Sequence, residues 1–212
     1  MSALILVDLQ NDFMPGGALA VPDGDSVIPV ANRLAQSFDL VVATQDWHPP
    51  GHGSFASQHL GKHPGDMIEL DGFRQELWPD HCVQGTSGAE LHAGLDVGRI
   101  TRVFQKGADP CVDSYSTFFD NAHRKSTGLG DYLKEKGVRE VYLMGLATDY
   151  CVKFSVLDAV ELGFQANVIE DGCRGIDLQA GDVSRAIDEM KTVGAVIVSS
   201  AARQNDRNSP LR

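Results

Sequence analysis

Short apolar, β-branched runs recur along the chain: ALILV at 3–7, LVVAT at 40–44, ITRVF at 100–104, EVYLMG at 140–145, ANVIE at 166–170 and AVIVS at 195–199. Each is too short for a helix, and several are apolar throughout, as strands covered on both faces are. Between them the hydrophobic period lengthens to that of helices. Residues 26–38, SVIPVANRLAQSF, predict one helix, with Pro29 confined to its first turn. Residues 129–136 predict a short one ending before Gly137, and residues 182–192 another that opens on Asp182 as N-cap or first-turn acid. Residues 151–162, CVKFSVLDAVEL, place Val152, Ser155, Val156, Ala159 and Val160 along one stripe and stop at Gly163, the C′ position. Strands alternating with helices predict a three-layer α/β/α fold: a six-stranded, mostly parallel sheet with helices on both faces.

Two stretches break this rhythm. Residues 47–99 are rich in Gly, Pro and His and lack periodicity, so they predict one long loop, and a loop of that length in a compact domain is usually functional. Residues 106–128 form a second excursion. The polar tail RQNDRNSPLR, from about residue 203, is expected to fray. No repeat or low-complexity segment divides the chain, so residues 1–212 are expected to form one domain.

Composition then narrows the partners. The chain carries 18 Lys plus Arg against 29 Asp plus Glu, a formal charge of −11, which argues against nucleic acid or an anionic membrane surface. A hydrophobic content of 42% rules out global disorder. No apolar run is long enough to span a bilayer. The start, MSALILVDLQNDF, has no basic n-region and is interrupted by Asp8, so it reads as a buried strand rather than a signal peptide, and a cytoplasmic protein is expected. Monomer and homo-oligomer both stay open. Cys82, Cys111, Cys151 and Cys173 form no CxxC pair and no disulfide framework; each is by default a small buried hydrophobe.

In open parallel sheets, ligands bind beyond the carboxyl ends of the strands. Asp8 follows the first predicted strand, Asp46 and His48 the second, Lys106 the third, and Cys151 the fourth after the short turn GLATDY. Cys151 falls in the first turn of the best-patterned helix, where free N–H groups favour a thiolate. A free thiol is only about 3% ionised at pH 7, and making it mostly thiolate needs about 2.7 kcal/mol, more than the ~2 kcal/mol at most from a helix terminus. A cation must help, and Lys106 is the candidate. Asp8 opposes ionisation unless Lys106 neutralises it or it takes the thiol's proton itself. Asp46-Trp47-His48 puts two ligand-bearing side chains on one side of an extended segment. With a third ligand from His52, His59, His63 or His81, the set suits a transition metal with open positions. His81, in WPDHC, reads as part of a packed segment, whereas His92 and His123 read as surface residues. Phe13, Trp47, Trp78 and Tyr115 are core aromatics by default, although Phe13 and Trp78 stand close enough to Asp8 and His81 to wall a pocket for a flat ring.

ILVDLQNDF followed by GGALAV, then ATQDWHPPGHGSFASQH, LWPDHCVQGT, FQKG and GLATDYCVKFSVLDA, resemble in order the motifs of nicotinamidases, cysteine amidases of the isochorismatase-like hydrolase superfamily. The resemblance runs almost end to end. It implies that superfamily's fold and the hydrolysis of nicotinamide to nicotinate and ammonia through a cysteine thioester, a step of NAD salvage, with pyrazinamide hydrolysed to pyrazinoate as well. It implies a catalytic triad of Asp8, Lys106 and Cys151, and an oxyanion hole from the N–H groups of Ala147 and Cys151 beside a cis Leu146–Ala147 bond. It further implies substrate contacts from Phe13, Trp78 and Tyr115, and one divalent ion (Zn, Fe or Mn) on Asp46, His48 and His81. His52 and Ser54 are both open as a further ligand. Cys82 is expected to pack beside His81, with Cys111 and Cys173 as bland buried residues. Isochorismatases share the fold but lack the nucleophilic Cys and the metal triad, and N-carbamoylsarcosine-type amidases lack this metal set. A non-catalytic binding member would have lost Asp8, Lys106 or Cys151, and a redox sensor would need a resolving cysteine nearby.

Overall fold

The computed structural model describes residues 1–202; the tail from 203, where fraying is expected, lies outside the described residues. Six strands, β1 (Ser2–Val7), β2 (Val41–Asp46), β5 (Arg102–Lys106), β6 (Glu140–Leu146), β7 (Gln165–Arg174) and β8 (Val196–Val198), pair in the order β5-β2-β1-β6-β7-β8. All five pairings are parallel. β1 is buried from Ala3 to Val7, which is why its sequence shows a continuous apolar run rather than alternation.

Four helices, α1 (Val27–Ala35), α2 (Leu129–Glu135), α3 (Lys153–Glu161) and α4 (Asp182–Thr192), connect these strands. Val27, Ile28, Ala31, Leu34 and Ala35 form the buried stripe of α1, with Pro29 in its first turn. α3 stops where the sequence says it should, with the Gly163 N–H on the Val160 carbonyl and the Phe164 N–H on the Ala159 carbonyl. The α1 connection carries the chain from β1 to β2 on one side; those through α2, α3 and α4 step the other way. Right-handed crossovers therefore place α1 on one face and the other three helices on the opposite face. The reversal falls between β1 and β6, and the crevice it opens is where such sheets bind ligands. No helix of the described residues is long and apolar enough to cross a membrane.

Two expectations need correction. The 47–99 stretch is not structureless: β3 (Met67–Leu70) and β4 (Phe73–Glu76) form an antiparallel hairpin within it. Its turn is Asp71-Gly72, with φ of 51° and 86°, a two-residue connection that Asp-Gly favours because both residues need positive φ. The period-2 pattern was hidden because all four β3 and β4 positions with bulky apolar side chains, Met67, Ile68, Leu70 and Phe73, are exposed or half-buried. Second, the helix expected from Cys151 opens earlier, as a π-helical turn over Thr148–Val152 that runs into α3.

Candidate active site

The carboxyl ends of four neighbouring strands converge on one ammonium group. Asp46 and Lys106 are register partners across β2 and β5, so their side chains leave the sheet on the same face. Lys106 Nζ lies 2.5 Å from Asp46 Oδ1, 2.9 Å from Asp8 Oδ2, 2.8 Å from the Ser114 carbonyl and 3.4 Å from Cys151 Sγ. Asp8, Asp46 and Cys151 bring one ligand atom each within 4.8 Å of one another. All four side chains are buried. Asp8 sits just past β1 with φ at 51°, and Thr44 holds it from both sides: its Oγ1 accepts the Asp8 N–H and donates to Asp8 Oδ1 at 2.6 Å. Gln10 locks the end of β2, accepting the Asp46 N–H and donating to the Asp46 and Ala89 carbonyls.

The charges of this cluster bear on how readily the thiol ionises. Burial raises the Cys151 thiol well above its ordinary value; Lys106 opposes this, but Asp8 and Asp46 add to it. The anions thus oppose ionisation of the thiol: one ammonium already serves two carboxylates, and a third anion beside them would go uncompensated. Burial also pushes the Asp8 carboxyl up to about 6 against the pull of Lys106. Burial would depress the Lys106 ammonium, but Asp46, Asp8 and Cys151 outweigh it and hold it well above its ordinary range. Asp8, its carboxylate made more basic by burial, is thus placed to accept the thiol's proton.

Beside this cluster stand Asp46, His48 and His81, each with a ligand atom within 4.8 Å of the others. Both imidazole Nε2 atoms lie 3.8 Å from Asp46 Oδ2. His48 Nδ1 bonds the Gly107 carbonyl and His81 Nδ1 the Pro79 carbonyl, each at 2.8 Å, which fixes the tautomer that leaves an Nε2 lone pair facing inward. His48 Nε2 is buried without a hydrogen-bond partner. Burial, then His48, lowers the His81 imidazole to about 4, so it stays neutral and able to ligate. An orphaned buried nitrogen between a carboxylate and a second oriented imidazole is what a divalent ion would satisfy. Gly107, with φ at 66°, is part of this cradle: a Cβ there would fall 2.5 Å from the His48 ring.

His52 is buried with its ring centroid 4.5 Å from that of His48, and its Nδ1 takes both the N–H and the Oγ of Ser54. His52 and Ser54 thus spend their facing atoms on each other, and His52 groups with His48 and Asp113 rather than with Asp46 and His81. Of the other histidines weighed for this site, His59 bonds the Gly53 carbonyl and His63 is exposed.

A pocket joins the two groups, lined by Asp46, His81, Ala147 and Cys151 with Phe13, Trp78 and Tyr115. The Leu146–Ala147 bond is cis. Tyr150, Leu19, Ile176 and Asp113 also line it and were not singled out from sequence. Tyr150 was legible as a neighbour of Cys151; its ring meets Trp78 edge-on at 4.9 Å, and its hydroxyl donates to Glu76 on β4. Tyr115 OH accepts from Trp78 Nε1 and Gln75, so the unforeseen hairpin braces the pocket wall. Trp47 packs against the core instead. Cys82 is buried beside His81, its N–H donating to Asp12, and Cys173 is buried too. Cys111 departs from its expectation and is exposed.

The model of the isochorismatase domain family matches residues 2–202. The nicotinamidase of Escherichia coli (strain K12) is 56% identical over 203 residues, covering 94% of this chain and 95% of that one. The solved nicotinamidase/pyrazinamidase of Acinetobacter baumanii superposes with a TM-score of 0.92 at 50% identity, over 95% of this chain and 97% of that one. The pyrazinamidase of Pyrococcus horikoshii, solved in complex with zinc, does so with a TM-score of 0.76 at 39% identity, over 93% and 98%.

Proposed function

The chain belongs to the isochorismatase domain family, and from that premise we propose that it hydrolyses nicotinamide to nicotinate and ammonia, a step of NAD salvage, and pyrazinamide to pyrazinoate. The observation that carries this reading is the single pocket lined by the Cys151 thiol and by Asp46 and His81, with aromatic walls. It suits a flat, uncharged ring with a carboxamide at one end and a ligating nitrogen at the other.

Asp8 takes the proton of Cys151, and the sulfur attacks the carboxamide carbon. Lys106, 3.4 Å from that sulfur and 2.9 Å from Asp8, keeps its charge throughout and balances whichever of the two is anionic. The N–H groups of Ala147 and Cys151 receive the oxyanion. Asp8 then hands its proton to the departing nitrogen, so ammonia leaves and an acyl thioester stays on Cys151. Water deprotonated by Asp8 opens the thioester, releasing nicotinate, and the proton returns to the thiol. Phe13 and Trp78 orient the ring, and Tyr115 and Tyr150 buttress Trp78. Asp46, His48 and His81 would hold a divalent ion, with zinc in the Pyrococcus relative as the pointer to its class. When bound, that ion supplies a Lewis-acidic seat for a ring nitrogen.

A coupled ammonia assay on nicotinamide, pyrazinamide, isochorismate and an N-carbamoyl amino acid tests the reading; turnover of the last two but not of nicotinamide would refute it. His81→Ala is expected to weaken divalent-metal binding by about 100-fold or more, while His92→Ala leaves it unchanged, as read by metal content after dialysis. Chelator should remove activity that added Zn2+ or Mn2+ restores. Because Asp8 must be a carboxylate to accept the thiol proton and is pushed up to about 6, kcat/KM should fall as pH drops through about 6. Thr44→Val removes a hydrogen bond that favours the carboxylate and should move that limb upward. A limb that stays put would remove Asp8 from the role of base.

A further inference from the structure

Outside this pocket, Asp158 on α3 is 5% exposed, and its Oδ2 is buried without a hydrogen-bond partner. Its Oδ1 lies 3.3 Å from Nε2 of His123, which the loop between β5 and α2 presents to it. Glu161 follows on α3 at the i+3 position, on the same side of the helix. One ligand atom from each of His123, Asp158 and Glu161 falls within 4.8 Å of the other two.

We propose that His123, Asp158 and Glu161 form a second divalent-cation site, separate from Asp46, His48 and His81, that takes a transition ion such as Zn2+ and ties the 107–128 loop to α3. One imidazole nitrogen and two carboxylates make a borderline donor set of the kind such ions select. A buried carboxylate oxygen without a partner is costly, and an ion held by both Asp158 oxygens would remove that cost. Arg124, next to His123 in the chain, is engaged elsewhere: it pairs with Asp71 and lies over the Phe73 ring. His123 is held for the purpose, since Asp120 Oδ1 accepts the N–H groups of Ala122 and Arg124 on either side of it. The surplus of 29 acidic over 18 basic residues adds a field that draws cations.

The loop so tied is the one that supplies the Ser114 carbonyl to Lys106 and Tyr115 to the pocket wall. It meets α3 again at the Thr117 N–H, which donates to Ser155 Oγ, itself bonded to the Cys151 carbonyl. An ion at His123 would therefore limit the motion of the segment that frames the lysine and the pocket. This inference does not depend on which amide the pocket takes.

Equilibrium dialysis of the metal-stripped full chain against Zn2+ separates the two sites. Wild type should bind two ions per chain; His123→Ala and Glu161→Gln should each bind one, and His81→Ala should keep the one at His123. The His123 side chain is half exposed, so its removal leaves the fold intact. In His81→Ala, Zn2+ should slow amide exchange over residues 113–124, and in the His81→Ala/His123→Ala double variant it should not. Equal uptake by wild type and His123→Ala, no ion kept by His81→Ala, or exchange that Zn2+ leaves unchanged in His81→Ala would each overturn the assignment.

Discussion

Cys151→Ala is expected to lower ammonia release from nicotinamide by about 10,000-fold or more while leaving the protein folded, the scale on which removing a covalent nucleophile acts. No other group lining the pocket can replace the sulfur. Burial holds the phenols of Tyr115 and Tyr150 well above their ordinary values, so neither offers a phenolate. Asp46 is tied to Lys106, and both Asp113 oxygens accept hydrogen bonds, from Ser114 and Gln75. The other cysteines are out of position: Cys173 lines a different cavity with its thiol pushed up to about 12, burial holds the Cys82 thiol up, and Cys111 is on the surface. Stability should barely change, because Lys106 keeps its three oxygen partners when the sulfur is gone. Rapid-quench mass spectrometry should find an acyl adduct on wild type and none on Cys151→Ala. Turnover of the variant within tenfold of wild type would remove the covalent route.

The strand ends are legible in the sequence because a parallel sheet buries both faces of its central strands. Its apolar runs are therefore continuous, and the first polar residue after each one marks the edge. Asp8 stands out for that reason directly, and Asp46 and Lys106 one residue further on, each after a glutamine, Gln45 and Gln105. The sign of the Cys151 shift was not legible, since it depends on how many anions share one lysine, and that number follows from strand order. Spacing along the chain cannot say that β5, β2, β1 and β6 are neighbours. The hairpin was missed for a different reason. It covers the pocket rather than filling the core, so its outward residues carry no burial pattern, and only Asp71-Gly72 marked it. Thr44, Gln10 and Gln75 act through other residues rather than on a ligand, and polar side chains of that kind look like any others in a sequence.

Lys106→Met should combine a loss of activity of roughly 1,000-fold at neutral pH with a loss of about 3–5 kcal/mol of stability, the cost of breaking a buried ion pair from one side. Methionine fills most of the space of the lysine stem, so packing changes little. What changes is that Asp8, Asp46 and the Ser114 carbonyl lose a shared partner at 2.5–2.9 Å, all of them buried. Asp8 is already pushed up to about 6 with the ammonium beside it. Without that cation it moves higher still, becomes protonated near neutrality and can no longer accept the thiol proton. The sign for stability follows from the same shift. In the variant the folded chain holds a proton on Asp8 at pH values where the unfolded chain has released it, so its stability rises as pH falls. The deficit against wild type should therefore be largest at pH 8 and shrink towards pH 5 in urea titrations, while activity recovers in the opposite direction as alkali restores the Asp8 carboxylate. A deficit that is constant across this range would mean that Lys106 holds the site by packing alone, and activity within tenfold of wild type at pH 7 would remove it from the mechanism.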